Sequence, residues 1–400
     1  MRGREDLRHL RVFTIDGPRT EDFDDALSLE IQGDRIEVGI HITDAAALID
    51  SDSALDREAS LRGSSLYLPR RQIPMFPPDL SHKRLSLIRD ADRPAVSLLA
   101  RFDKEGNLQD YRFVLSLIKV KRQLTYDTVN GQVEGDGTFS SLFQICGKIR
   151  QRRVEQGALI LSLPEVSIQV NDDSSVSIDM ISQETPSRIM VAEFMILYNW
   201  LAARFCRDNQ IPILYRSQKE PAEKLPVDET GYIYYVFRQR RKLHPLVIDV
   251  EPAPHAGIGL DVYTNVTSPI RRYLDLVIQR QVSNYLCYGS PFYNREELEK
   301  VRLHVTPSLK DIEKVKRNRT RYWILKHLRQ QTGAEIPAII LDVMKTRYRI
   351  ILTDYLITAE MKRDAGQDLS PGKEIMVRIK KSDPWNNLLK LEYAEITGPC

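Results

Sequence analysis

The sequence predicts an α+β protein, in which a mixed α/β body (residues 1–330) precedes a small all-β barrel (residues 333–396). Two observations support this class. Strand-like alternation and helical periodicity are interleaved throughout the body, whereas short strand-like segments follow one another closely after Gly333. A chain of 400 residues is long enough for two or three domains.

The first predicted element is a strand at Val12–Ile15, which is a β-branched and aromatic run. Apolar alternation resumes at Leu27 and continues to Ile42, with Gly33-Asp34 near its centre, and this pattern predicts a hairpin. The pattern further predicts a helix at residues 43–62, a strand at 63–69 and a proline-rich loop at 73–78.

An acidic loop separates the first strand from the hairpin and holds Asp16, Asp22, Asp24 and Asp25. Carboxylates so close together repel one another unless a cation lies among them. The Gly17-Pro18 pair forces a turn that can bring Asp16 back towards the others. In an extended segment the adjacent side chains of Asp24 and Asp25 diverge, so they can serve different roles.

The residue types in this loop predict a site for a hard divalent cation and for phosphate chemistry. The glycine and glutamate that a calcium-binding EF-hand loop requires are not at the necessary positions, which leaves Mg²⁺ or Mn²⁺. The alternative is a solvated acidic loop, because runs of charge are usually surface features. The position of the acidic loop between two predicted strands favours the metal site over this alternative.

The charge distribution is more informative than the net charge of +3, which by itself does not indicate nucleic-acid binding. Residues 300–329 hold ten Lys or Arg against only Asp311 and Glu313. This strip is typical either of a phosphate-binding track or of a solvated helix face, and charge alone does not separate the two.

The cysteine pattern and the apolar stretches bear on location. The four cysteines occur singly, without the spacing of a zinc or redox motif, which indicates a reducing compartment. The N-terminus has no apolar signal region, and the apolar stretch Phe194–Ala203 is interrupted by Asn199 and is expected to be too short to span a bilayer. We therefore expect a cytoplasmic protein that does not bind a membrane.

Helical periodicity predicts helices at residues 138–156 and 187–208, the second with a strong apolar stripe that is expected to face the core. Glu193 lies on this otherwise apolar helix. A charged residue at such a position is more readily explained as a buried functional carboxylate than as a surface residue.

A further helix is predicted from Ser268, as N-cap, to Tyr288, with Pro269 at the first helical position. Arg271 and Arg272 would then lie in the first turn, where free N–H groups already favour an anion. Two cations at that end suggest a phosphate partner. The alternative is that the arginines pair with nearby acids such as Asp275.

After Gly333 the sequence predicts an OB-type barrel. The predicted strands are residues 336–343, 348–352, 356–360, 374–380 and 388–392, with a break at Asp364-Ala-Gly366 among others. The side chains expected to face RNA there are Tyr348, Arg349, Arg378, Lys380 and Trp385. Because acids and bases balance in this segment, such binding would depend on stacking more than on charge.

Taken in order, four blocks of this sequence resemble the signature blocks of the RNB catalytic domain of the ribonuclease II and ribonuclease R family. The blocks are Thr14–Asp25, Arg62–Met75, Glu193–Ile196 and Thr267–Tyr273. The resemblance covers roughly residues 10–330, and the terminal barrel is similar to the S-type RNA-binding OB fold that follows this domain in the family. It implies a processive 3′-to-5′ exoribonuclease that releases nucleoside 5′-monophosphates from single-stranded RNA by a two-metal mechanism with Mg²⁺.

The resemblance also implies roles for individual residues. Asp16, Asp22 and Asp25 are similar to the carboxylates that hold metal, and Asp24 to the catalytically indispensable one. Arg271 is similar to the arginine that binds the scissile phosphate, with Arg272 beside it as a further RNA contact. Tyr67 lies where the family stacks an aromatic ring on the terminal base, and Tyr126 and Glu193 lie where the family senses the ribose.

Two other classes of protein are weighed against the nuclease. A non-catalytic RNA-binding protein on the same domain would be expected to lose the aspartates, which are all present here. A phosphatase or nuclease of another fold would not explain the block around Arg271. Family members carry cold-shock domains ahead of the catalytic domain, and we expect those either to be absent or to lie outside this chain. A monomer is expected.

Overall fold

A computed structural model describes residues 3–171, 175–227, 231–363 and 368–394 and confirms the predicted α+β class with a closed barrel. The strands are Glu5–Asp6 (β1), Val12–Asp16 (β2), Asp25–Gln32 (β3), Arg35–Thr43 (β4), Leu66–Leu68 (β5), Arg71–Ile73 (β6), Asp92–Phe102 (β7), Leu108–Thr125 (β8), Glu165–Val170 (β9), Val176–Ile181 (β10), Tyr215–Ser217 (β11), Val247–Asp249 (β12), Glu335–Val343 (β13), Arg347–Leu352 (β14), Ile357–Lys362 (β15), Glu374–Asp383 (β16) and Leu388–Ala394 (β17). The helices are Ala54–Arg62 (α1), Tyr126–Asn130 (α2), Gly137–Glu155 (α3), Pro186–Asp208 (α4), Tyr232–Lys242 (α5), Tyr273–Tyr288 (α6) and Arg295–Gln330 (α7).

A six-stranded sheet in the order β1-β8-β2-β3-β4-β7 forms the centre of the body. The long strand β8 also pairs with β7, so the sheet curls back on itself. The hairpin β3–β4 turns at Gly33-Asp34 as predicted, because Gly33 adopts the positive φ of 62° that such a turn requires. The acidic loop therefore connects two neighbouring strands of one sheet, β2 and β3.

The helix predicted at residues 43–62 is wrong in its first half. A single 3₁₀ turn spans Ala45–Ala47, and α1 begins only at Ala54. The chain breaks because Asp52 adopts a positive φ of 60°, after which the Ser53 side chain caps the new helix by accepting from the Asp56 N–H.

Helices α3 and α4 confirm the two predicted helices in the body. The apolar stripe of α4, which includes Met190, Phe194 and Leu201, is buried in the main core, as expected. The apolar stretch Phe194–Ala203, which is expected to be too short to span a bilayer, is part of the longer helix α4. Among the described residues, α4 alone is long and apolar enough to cross one by length and composition, although 56% of its apolar window is buried within the protein.

The helix predicted from Ser268 begins instead at Tyr273. Residues 268–272 form a separate turn, in which the N–H groups of Arg271 and Arg272 both donate to the Ser268 carbonyl. Arg272 is the N-cap, with an extended backbone (φ −134°, ψ 119°). Ser268 and Pro269 are typical of a helix N-terminus and therefore predicted a cap at Ser268. The turn instead pairs with Gly63–Ser65, a contact that the local sequence does not show.

Five strands close into a barrel in the order β13-β14-β15-β17-β16, and each matches a predicted strand to within a few residues. The predicted break at 364–366 lies outside the described residues. One predicted RNA contact is wrong, because the Tyr348 side chain is fully buried in the barrel core. Trp385, in contrast, is 80% exposed at the β16–β17 turn.

Candidate active site

A cavity of about 1000 Å³ opens above the ends of β2 and β3, and we call it the acidic cavity. Most of the site residues predicted from the sequence line this cavity: Asp16, Asp22, Asp25, Tyr67, Tyr126, Arg271 and Arg272. Segments far apart in the chain thus meet at one place. Asp24 lies directly beneath the cavity, and Glu193 lies away from it.

Asp24 and Asp25 diverge, as the extended backbone predicts. Asp25 faces the acidic cavity, whereas the Asp24 side chain is only 1% exposed. One Asp24 oxygen accepts the Ile270 N–H at 2.9 Å, and the other accepts Nε of Arg271 at 2.8 Å. Both Asp24 oxygens are therefore used in holding the turn that carries Arg271.

Burial makes ionisation of the carboxyl groups in this loop unfavourable. Burial raises the pKa of Asp16 to about 8, and the charge of Asp25 adds to the rise. Burial likewise raises the pKa of Asp24 to about 7 and that of Asp25 to about 6, although Arg271 opposes both rises. The Asp16 Oδ2 atom is buried without a hydrogen-bond partner among the described residues.

These features fit a cation, because a buried carboxylate oxygen without a partner and mutually repelling acids are both stabilised by positive charge. The described side chains nevertheless do not form a ready set of three metal ligands. Asp22 accepts a short hydrogen bond from the Tyr67 hydroxyl, and Asp24 is held by Arg271. The Tyr67 hydroxyl uses only Oδ2 of Asp22, so Oδ1 of Asp22 stays available to a metal ion.

Two tyrosines line the cavity near these acids, Tyr67 close to Asp22 and Tyr126 close to Asp16. Tyr67 lies on the short hairpin β5–β6, and its burial beside Asp22 raises the pKa of its hydroxyl well above the ordinary value. Tyr126 begins α2, and its burial raises the pKa to about 12. The Arg188 guanidinium lies 4.2 Å from the centre of the Tyr126 ring. Both hydroxyls are therefore neutral hydrogen-bond donors over the ordinary pH range.

The structure does not bring Glu193 to the cavity. Its side chain is 5% exposed and makes a two-pronged ion pair with Arg153, at 2.5 and 3.0 Å. Arg153 also donates to the Ile258 carbonyl at 3.0 Å. The prediction that Glu193 is buried is thus confirmed, but α4 turns it away from the position expected for a ribose contact.

Several cavity residues were missed from the sequence. Arg188, Met195 and Asn199 project from the face of α4 that Glu193 does not share, and Asn199 holds the Val266 N–H through its side-chain oxygen. Strand β9 contributes alternate polar residues, Glu165, Ser167 and Gln169, while its other face packs on the barrel core. The period-two alternation of β9 could have identified this wall.

Comparison with known proteins places the chain in a family. The RNB domain model matches residues 4–228 and 233–288. An uncharacterized ribonuclease of Synechocystis is 34% identical over 396 residues, covering 95% of this chain and 58% of that protein. Ribonuclease R of Chlamydia trachomatis is 33% identical over 324 residues, covering 70% of this chain and 46% of that protein. The chain therefore spans about half the length of these curated relatives.

Solved structures share the fold. Apo ribonuclease R of Mycoplasma genitalium has a TM-score of 0.89 at 22% identity, over 98% of this chain and 72% of that one. A yeast protein described as a pseudonuclease has a TM-score of 0.77 at 16% identity, over 98% of this chain and 53% of that one. The fold alone therefore does not decide activity. The chain belongs to the RNB domain family.

Proposed function

We propose that this member of the RNB domain family is a metal-dependent 3′-to-5′ exoribonuclease that hydrolyses single-stranded RNA to nucleoside 5′-monophosphates, in RNA degradation or maturation. The observation that carries the proposal is the composition of the acidic cavity, where carboxylates with raised pKa values face Arg271 and two tyrosines. These are the groups that a metal ion, a phosphate and a nucleotide require.

Asp16, Asp22 and Asp25 would hold the metal, with Mg²⁺ expected and Mn²⁺ as a substitute. In a two-metal site, bound ions lower the pKa of the attacking water and stabilise the leaving oxygen. Because Asp24 lies beneath the cavity with both oxygens engaged, we assign it the task of orienting Arg271. Arg271 then neutralises charge on the scissile phosphate, a contribution typically worth about a hundredfold in rate.

The tyrosines would bind the 3′-terminal nucleotides. Stacking on an aromatic ring tolerates any base, which suits an enzyme that digests RNA of any sequence. A contact to the ribose 2′-hydroxyl distinguishes RNA from DNA, and Tyr126, whose neutral hydroxyl can donate, is the residue we propose for it. Gripping several nucleotides in a deep cavity would favour processive digestion.

The RNA upstream of the cavity would follow the groove between α7 and the barrel, a cavity of about 1270 Å³ in which basic side chains outnumber acidic ones. Lys316 and Arg317 on α7 face Arg349 on β14 there. Beside this groove, the exposed Trp385 ring lies edge-on to Tyr322, with ring centres 5.2 Å apart. An exposed aromatic ring next to a basic groove is typical of single-strand binding.

We also propose that the protein is cytoplasmic. Cys146 and Cys206 are buried free thiols, which agrees with a reducing, cytoplasmic compartment. We also propose that the protein is a monomer.

The deciding experiment is digestion of a 5′-labelled oligoribonucleotide and of its DNA counterpart, with Mg²⁺ and with EDTA. We expect stepwise shortening of the RNA only, abolished by EDTA. Intact RNA in every condition, with a retained gel shift, would instead indicate a non-catalytic RNA-binding protein on the same fold.

A further inference from the structure

The adjacent arginines at the cavity edge differ in how their nitrogens are used. Among the hydrogen bonds of the described residues, Arg271 uses only Nε, on Asp24, and its side chain is 46% exposed. Its two terminal nitrogens are therefore open to the acidic cavity, which it lines. A guanidinium fixed through Nε and open at both terminal nitrogens is arranged for two-pronged phosphate binding.

Arg272 is bound by the protein through all three of its nitrogens. Its Nε and Nη2 donate to one oxygen of Asp275 at 3.0 and 2.7 Å, and Nη2 also lies 3.4 Å from the Thr267 hydroxyl. The Asn265 amide, oriented to satisfy its neighbours, accepts from Nη1 at 3.3 Å and from the half-buried Arg216 at 2.6 Å. Few donors of Arg272 remain for a substrate.

Asp275 is the centre of this arrangement. Its side chain is 3% exposed, and the oxygen that binds Arg272 also accepts the Ser268 N–H at 3.0 Å. One carboxylate thus ties the beginning of the 268–271 turn to the residue that follows it. A buried carboxylate with three donors is a strong constraint, because losing any partner leaves polar groups unsatisfied.

The turn held in this way carries the groups that the proposed reaction needs. Ile270 and Arg271 both donate to Asp24. On its other side, the Arg271 carbonyl accepts the Ser65 N–H at 2.9 Å, and the Tyr273 N–H donates to Gly63 at 2.9 Å. Gly63 and Ser65 lead directly into β5, the strand of Tyr67, so the turn also fixes that hairpin.

We propose that Arg272 and Asp275 are positioning residues that clamp the 268–271 turn, so that Arg271 alone presents its guanidinium to a substrate phosphate. The effect of this clamp on catalysis rests on the proposed function. The effect of Arg272 and Asp275 on the structure of the turn does not. It replaces the expectation that Arg272 contacts RNA and divides the two arginines into one that binds substrate and one that supports it.

The first test is the salt dependence of RNA binding in EDTA, followed by fluorescence anisotropy of a labelled oligoribonucleotide. Each lost phosphate contact reduces the slope of log K against log salt by about 0.7 for a single strand. We expect Arg271→Gln to reduce the slope by about that amount and Arg272→Gln and Asp275→Asn to leave it unchanged. An equal reduction in Arg272→Gln would overturn the proposal.

The second test uses activity and hydrogen exchange. Arg272→Gln and Asp275→Asn should each lower kcat by at least about tenfold with little change in KM, because a misplaced group loses transition-state contacts. Peptides containing Ser65 and Tyr273 should exchange faster in both variants but not in Arg271→Gln. Normal kcat and normal exchange in Asp275→Asn would refute the clamp.

The control is Asp56→Asn, which breaks a buried Asp–Arg pair with Arg280 outside the cavity. Because Asp56 also bonds the Tyr273 side chain, exchange in this control is compared only at Ser65. It should lose stability yet leave the salt slope and kcat unchanged, which separates positioning from general weakening of the fold. If the unsubstituted chain neither binds nor cleaves RNA, the proposed function fails, and the exchange measurement still decides whether the clamp exists.

Discussion

The Asp24→Asn substitution tests whether Asp24 contributes mainly to activity or to stability. The chain offers a comparison, because Asp56 and Arg280 form a second buried Asp–Arg ion pair outside the acidic cavity. Asp24 accepts one backbone N–H and one arginine. Asp56 likewise accepts the Asp52 N–H at 2.9 Å and Arg280 at 2.7 Å, and it also bonds the Tyr273 side chain. The partners differ in exposure. The Arg271 side chain is 46% exposed, whereas that of Arg280 is 4% exposed.

This difference predicts that the two substitutions rank oppositely in stability and in activity. Asp56→Asn leaves Arg280 buried without its charge partner, which costs about 3–5 kcal/mol. Asp24→Asn should cost only about 1–2 kcal/mol, since Arg271 can turn to solvent and one hydrogen bond is weakened. Activity should fall at least about a hundredfold in Asp24→Asn, because Arg271 loses its orientation, and less than about threefold in Asp56→Asn.

Urea unfolding measures the free energy of unfolding of each variant. The rate of RNA hydrolysis is measured as the release of nucleotides from an oligoribonucleotide with Mg²⁺, at a temperature where both variants are folded. Asp24→Asn with activity within about threefold of the unsubstituted chain would refute the orienting role. So would a loss of activity in Asp56→Asn as large as that in Asp24→Asn, since activity would then follow stability alone.

Three further predictions concern the acids, the α4 ion pair and the barrel. Because the pKa of Asp16 is raised to about 8, the folded state binds more protons than the unfolded state between about pH 4 and pH 8. In EDTA, the free energy of unfolding should therefore fall as the pH rises through this window. The fall should be up to about 1.4 kcal/mol per pH unit for one carboxyl group. Urea unfolding of Asp16→Asn should show a flatter dependence and should lose the stabilisation by Mg²⁺ at pH 8, and a dependence as steep as before would contradict the assignment. Glu193→Gln should lower stability by about 3 kcal/mol, since Arg153 stays buried, while leaving the ratio of RNA to DNA cleavage unchanged; an altered ratio would restore Glu193 as a ribose contact. Trp385→Ala should weaken binding of a long oligoribonucleotide by about 1–3 kcal/mol but not that of a trinucleotide, measured by anisotropy in EDTA, and equal loss for both lengths would place the ring in the cavity path instead.

Much of the fold followed from local pattern. The strand–loop–strand setting of the aspartates, helices α3 and α4 and all five barrel strands correspond to periods of two or 3.6 residues that a short window contains. Errors arose where a contact from elsewhere overrode the local pattern. The helix predicted with Ser268 as N-cap starts four residues later, because the turn pairs with Gly63–Ser65. Tyr348 points inward because barrel closure selects the buried face of β14.

The residue types of the site can be read from the sequence alone, since the four aspartates, the adjacent arginines and the two tyrosines all stand in recognisable patterns. The role of each residue depends on contacts between distant parts of the chain. Asp24 and Arg271 are 247 positions apart, so their ion pair, and with it the burial of Asp24 beneath the cavity, has no local signature. The same holds for Glu193 and Arg153, because the direction of a side chain on a helix depends on which neighbours surround that helix, and periodicity fixes only that one face is buried.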